Sequence, residues 1–391
     1  SFLISFHNKS LIQHKQKTKK TLSEIIFYKK QVCLGIIFLL LILAAFEVTG
    51  RMVLDQKDSC FTGLLSSGIY ENYDSSDLKK LCNDYAKMIY HDYPNRHLAP
   101  NQHTDTVNIN EHGFRGPEIT QTKNENIFRI FLVGGSETYG MFSTSDKTTF
   151  QGYLQQKLDA LDTEYKIEVI NAGVNAYDSF DSAYQIKTKL IDYDPDLLIV
   201  VTGHSVGTPA KEVNIDVPLY YPISNEFAKL KLYYKSPEFF EFTKRVILKN
   251  VYGDQGVPGE VIIHKNVEDN VKIWKNTWFE ICELGVERNF DVIVAVPPVS
   301  GAGNKIPTSW ELQNLEKLSH TSIVPSYHLV KDTLRDLDKK CANTVDLTNI
   351  FDSETGTIYL DLTHFADAGN VLVAEELFKS SLPFIYEKMG K

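Results

Sequence analysis

From about residue 127 onward the chain alternates between two hydrophobic rhythms. Short, β-branched apolar runs occur at 128–133 (FRIFLV), 167–171 (IEVIN), 196–202 (DLLIVVT), 291–296 (DVIVAV) and 344–347 (TVDL). Between them lie stretches in which apolar residues return every three or four positions, as a helix with one buried face requires. Phe150, Leu154, Leu158 and Leu161 share such a face, as do Val271, Trp274, Trp278 and Ile281. The spacing predicts helices over 150–161, 182–191, 267–288, 310–318 and 326–339, and a C-terminal helix beginning near Ala366. Continuous apolar strands that each lead into a helix predict a parallel sheet covered on both faces. Right-handed crossovers then build a three-layer α/β/α sandwich on a five-stranded parallel sheet.

The first half of the chain has a different texture. Up to Gln31 it carries seven Lys and one acid, Glu24, a formal +6 that leaves −15 for the remainder of a chain totalling −9. Next comes VCLGIIFLLLILAAF, residues 32–46, without a charge. A core helix would need a polar face, and this run is apolar all round. A cleaved signal is disfavoured by the long basic region and by the lack of an A-x-A site. The reading is an uncleaved transmembrane anchor from Val32 to Gly50, in contact with membrane lipid, with residues 1–31 as a cytoplasmic tail and the acidic body outside. The chain begins with Ser1 rather than Met, so its start need not be the native one.

Residues 51–120 form a stalk or cover with one predicted helix, 76–89, followed by the turn-rich strings PNRHLAPNQH and INEHGFRGPEI. Outside the anchor there are four cysteines. In an oxidising compartment Cys60–Cys82 is the first pairing to expect and Cys282–Cys341 the second, although spacing alone does not decide connectivity. There is no CxxC, and His91, His97, His103 and His112 lack the i, i+4 spacing of a helical metal pair, so neither a metal nor an organic cofactor is expected. The acidic balance argues against nucleic acid as a partner. Hydrophobic and charged fractions of 43% and 23% exclude a disordered chain.

In a parallel α/β sheet, ligands bind beyond the carboxyl ends of the strands. Gly134-Gly135-Ser136-Glu137-Thr138 follows the first strand, Asn171-Ala172-Gly173 the second, and Gly203-His204-Ser205 the third, while Asp361-Leu362-Thr363-His364 precedes the last helix. A serine in a glycine-rich strand-to-helix turn lies close to backbone donors. An imidazole with a carboxylate three residues away has a partner for its tautomer and its charged form. The same Gly134-Gly135-Ser136 turn could cradle a phosphate, but it lacks the lysine of a P-loop and the third glycine of a dinucleotide fingerprint.

In this order GGSET, INAG, the glycine after PDLLIVVT, and DLTH resemble the four blocks of the SGNH/GDSL hydrolases, and NEHGFRGPE resembles a lead-in found in anchored or exported members. The resemblance runs from about Asn110 to the C-terminus. It implies a flavodoxin-like fold and an ester hydrolase or acyltransferase. Ser136 would be the nucleophile, His364 its base and Asp361 the orienting acid, with the N–H groups of Ser136 and Gly173 holding the oxyanion. The match departs from the family at Gly135, in place of Asp, and at Ser205, in place of the oxyanion Asn. Losing such a donor costs about 10²–10³ in rate, which leaves a second expectation: an impaired domain that binds a glycan or protein. Gly173 also has a plainer reading, a turn that needs positive φ. His204 is a candidate substrate-binding or loop residue, and Arg115 a candidate for an anionic substrate group or for a structural ion pair. An aromatic, lysine-containing insertion at 208–265 is either a lid over the cleft or a cover packed on the body. The expected substrate is an O-acyl ester of a glycan or lipid.

Overall fold

The three central strands form because their side chains are apolar on both faces, which only a sheet sandwiched between helices can bury, while the two edge strands carry polar and half-exposed residues. The computed structural model describes residues 30–42, 44–45, 59–91, 96–203, 206, 210–213, 261–264, 266–317 and 322–388. Five parallel strands build the central sheet: β1 (Ile127–Gly134), β2 (Lys166–Asn171), β3 (Leu197–Val201), β4 (Asp291–Val296) and β5 (Asn343–Asp346). Their order is β5-β4-β3-β1-β2. This is the doubly wound, flavodoxin-like arrangement. The chain starts in the middle, winds one way to β2 and then reverses to β3, leaving a crevice between the ends of β1 and β3.

Alternate residues of each strand serve opposite layers. Phe131, Val133, Leu198, Val200, Val292 and Val294 pack on one side against Ile186 of α5 (Ser179–Thr188), Trp274 and Trp278 of α6 (Val267–Arg288), and Val330 of α8 (Ile323–Leu337). On the other side Ile130, Leu132, Val169, Ile199 and Ile293 meet Phe150 and Leu154 of α4 (Phe150–Asp159), and Val373 and Leu377 of α9 (Asp367–Lys388). The α/β/α sandwich is thus as predicted, with shifts of a few residues at element ends.

The segment before the sheet holds more structure than expected. Besides α2 (Ser75–Lys87) it contains α1 (Ser59–Ser66), and the Cys60–Cys82 disulfide joins the two. Cys282 and Cys341 form the second disulfide, and Cys33 is free. Short strand pairs then lead through Asn108–Ile109 to Arg115, whose N–H bonds to Asn171 O at the end of β2.

Ser59–Asn225 and Pro258–Lys391 make one compact unit; Ser1–Asp58 and Glu226–Val257 make a second. In the second, residues 30–42 and 44–45 are helical and exposed. No helix among the described residues is long and apolar enough to cross a membrane. The expected span from Val32 to Gly50 lies partly outside the described residues, at 43 and 46–50. Of the 208–265 insertion, Ala210–Val213 and Val261–His264 pair as an antiparallel ribbon, and the rest lies outside the described residues.

Candidate active site

Ser136 opens a single helical turn, α3 (Ser136–Tyr139), directly after β1. Two glycines allow that turn to sit where it does. A Cβ on Gly134 would lie 2.4 Å from Val201 O, so only glycine lets β1 end against the last carbonyl of β3. A Cβ on Gly173 would lie 2.3 Å from Tyr139 N, inside the backbone of α3. Close approach, rather than the positive φ considered from the sequence, is therefore what Gly173 supplies, since it is absent from the positive-φ glycines. Ser136 is held at the β1/β3 switch point with 8% of its surface exposed.

The chain returns to this point after β5. Leu360 N–H donates to His364 O at 2.8 Å and closes a tight turn. Inside it, Asp361 Oδ1 accepts the N–H groups of Thr363 and His364, both at 2.9 Å. Asp361 Oδ2 lies 2.7 Å from His364 Nδ1, and His364 Nε2 lies 2.6 Å from Ser136 Oγ. An ionised carboxylate only accepts, so Nδ1 carries the proton and Nε2 is left to accept from the Ser136 hydroxyl. Residues separated by 228 positions thereby form one line of hydrogen bonds.

The electrostatics reinforce this polarity. Burial alone would push the His364 pKa down, but the hydrogen bond and charge of Asp361, with a smaller contribution from Glu137, outweigh it and raise the imidazole above its ordinary value. Burial would likewise raise Asp361; the imidazole and the two N–H groups outweigh it and hold the carboxyl below its usual range. Glu137 was not anticipated from the sequence. It is buried, and its Oε2 lies 3.4 Å from Ser136 Oγ.

Phe142 forms one wall. Its ring stands edge-on to the imidazole, with centroids 5.7 Å apart and planes at 90°. Its φ of 68° is a left-handed conformation that a bulky residue adopts only when its neighbours impose it. Those neighbours come from α2 and the turn before it: Tyr70 Oη donates to Phe142 O at 2.6 Å, and Tyr85 Oη donates to Gly140 O at 2.6 Å.

Of the two readings the sequence left open for Arg115, the structure shows the ion pair rather than a substrate contact. Arg115 is 2% exposed, pairs with Asp146 at 2.8 Å, and donates to Tyr139 O and Gly140 O at 3.0 and 2.9 Å. It is the structural ion pair, and it grips the carbonyls that end the Ser136 turn. Gly173 N–H is not directed at an oxyanion; it donates to Asn171 Oδ1 at 3.0 Å. The other two candidates, His204 and Ser205, lie outside the described residues. Among the described residues no group of three or more His, Cys, Asp or Glu is placed to hold a metal ion.

No family model matches the chain, and no curated protein matches it. Solved structures to which the chain is similar include the acetyl xylan esterase AlAXEase, at 13% identity and a TM-score of 0.39 over 65% of this chain and 99% of that one. The acetylxylan esterase Axe2 from Geobacillus stearothermophilus is similar at 12% identity and a TM-score of 0.38 over 68% of this chain and 94% of its own. LAE5, an alpha/beta hydrolase enzyme from the metagenome of Lake Arreo, Spain, is similar at 12% identity and a TM-score of 0.40 over 65% and 94%.

Proposed function

We propose that the chain is a membrane-anchored serine esterase, or an O-acyltransferase working through the same acyl-enzyme, acting outside the cytoplasmic membrane on an O-acyl ester of a glycan or lipid. The reading rests on one observation: the short hydrogen bonds running from Asp361 through His364 to Ser136 Oγ at the switch point of the sheet.

In this reading Ser136 Oγ attacks the ester carbonyl while His364 Nε2 takes its proton. Asp361 stabilises the imidazolium that forms. Nε2–H then protonates the leaving alcohol oxygen as the C–O bond breaks, giving an acyl-serine. Water, deprotonated by the now neutral His364, attacks the acyl carbon and frees the acid; an alcohol in place of water would receive the acyl group. The N–H of Ser136 heads its helix, where no intrahelical acceptor exists, and serves as an oxyanion donor. No metal or organic cofactor takes part in these steps.

The anchored topology is supported by the uncharged 32–46 run behind a Lys-rich tail and by two disulfides, which suit an oxidising compartment. The test of the reading is acetate release from an O-acetylated oligosaccharide and from p-nitrophenyl acetate. Wild type is expected to turn over and Ser136→Ala to remain at background; equal rates in the two proteins would overturn it.

A pH dependence follows. The base must be neutral, so kcat/KM rises with pH and bends at the raised pKa of His364, above 6.5. Asp361→Asn removes the interactions that raise it. The acid limb should move to lower pH while kcat falls by about 10⁴. A pH–rate series on both proteins checks this, and an unmoved acid limb would contradict it.

A further inference from the structure

One side chain outside this hydrogen-bonded line binds the stretch of backbone that leads into it. The string Thr308-Ser309-Trp310-Glu311 is a capping box at the start of α7 (Ser309–Lys317). Glu311 Oε2 accepts from Thr308 N at 2.8 Å, and Glu311 N–H donates back to Thr308 Oγ1 at 3.4 Å. A capping-box glutamate ordinarily lies at the surface with its second oxygen in water. Here the residue is 1% exposed, and the second oxygen is used elsewhere. Glu311 Oε1 accepts from Ile358 N at 3.0 Å and from Tyr359 N at 3.1 Å, and Lys305 Nζ lies 2.7 Å from Oε2.

Four donors therefore converge on one buried carboxylate. Two of them belong to the strand of chain that enters the Asp361–His364 turn. The same helix grips the next residue from the side: Trp310 Nε1 and Asn314 Nδ2 both donate to Leu360 O, at 3.1 and 2.9 Å. Leu360 N–H is the donor that closes the turn on His364 O. On the far side, Ser300 N–H holds Leu362 O at 2.8 Å. The backbone on both sides of Asp361 is thus fastened to neighbouring elements, and the entry side is fastened to α7.

The geometry points to Glu311 as a positioning residue: its ionised carboxylate, locked by Lys305, fixes residues 358–360 and so sets the placement of Asp361 and His364 against Ser136. This deepens the esterase reading and, for its catalytic consequence, rests on it. Glu311 stays ionised despite burial because Lys305 and the three N–H groups hold its pKa below the usual value. The groups facing it are Lys305 and, through charge, Tyr359; those facing the imidazole are Asp361 and Glu137. In Glu311→Gln one carboxylate oxygen becomes an NH₂ donor. It can no longer accept from both Ile358–Tyr359 and Lys305–Thr308, and one side must let go.

The test combines a probe of the imidazole with a probe of turnover. The full-length chain in detergent, uniformly ¹⁵N-labelled, is titrated by histidine NMR, with His364→Ala identifying the resonance. Glu311→Gln is compared with Glu168→Gln, which removes the charge that half-buried Glu168 presents to buried Arg129 near the opposite ends of β1 and β2. Both variants lose stability, but only Glu311→Gln is expected to lower the His364 pKa, by about half a unit or more. It should also reduce kcat on p-nitrophenyl acetate by about 10²-fold with KM within about threefold, as a displacement near 1 Å does. Glu168→Gln, assayed where it is folded, should leave both readouts as in wild type. A His364 titration unchanged in Glu311→Gln would overturn the proposal, whatever the turnover. Absence of wild-type turnover would overturn the esterase reading instead, with the titration still deciding the role of Glu311.

Discussion

Replacing His364 with alanine is expected to lower kcat/KM for a short acyl ester by about 10⁴-fold or more, with the fold intact. The imidazole is the acceptor 2.6 Å from Ser136 Oγ and the donor to Asp361. Without it the hydroxyl keeps its ordinary, very low acidity, and nothing protonates the leaving alcohol. Three residues acting as one unit fail together, so Ser136→Ala/His364→Ala should be little worse than either single change. Steady-state kinetics on the three proteins measure this. A loss below about tenfold in His364→Ala would mean that another group does the proton transfer.

The second large effect falls on stability. Arg115→Met is expected to destabilise the protein by about 3–5 kcal/mol, because it leaves a partner charge, Asp146, without its cation in a largely buried setting. Asp146 also accepts from Asn108 Nδ2 at 2.8 Å, so the change loosens the lead-in strand as well. The carbonyls of Tyr139 and Gly140 lose a charged donor at the point where the Ser136 turn ends. Activity should consequently fall before the protein unfolds. Urea unfolding gives the first quantity and kcat below the transition the second; a stability change under about 1 kcal/mol would show that the cluster tolerates loss of the charge.

The parts that the sequence revealed, and those it did not, divide along a physical line. Strands buried on both faces announce themselves as apolar runs, and α6 has the predicted bounds, Val267–Arg288, because Asn266 caps one end and Asn289 at φ 62° closes the other. That Ser136, Asp361 and His364 meet was legible because parallel topology carries every strand's end to one rim. Arg115 was not. An arginine beside glycines looks the same whether it meets a ligand or a core carboxylate, and its partners lie at Tyr85, Thr106, Tyr139 and Asp146. Gly173 misled for a related reason, since glycine permits both positive φ and close contact. The sequence reading placed a helix over 310–318 but did not single out Glu311, whose grip on Ile358 and Tyr359 spans 47 and 48 residues, a separation that no local pattern encodes. α1 escaped notice because eight residues with a central glycine offer too short a period to read.

The central claim is that Ser136 Oγ is an activated nucleophile, and covalent capture tests it most directly. Treating the full chain with a fluorophosphonate and mapping the adduct by peptide mass spectrometry should give one modified residue, Ser136. The adduct should vanish in Ser136→Ala and form far more slowly in His364→Ala. A wild-type protein that stays unmodified, or an adduct that persists in Ser136→Ala, would contradict the account.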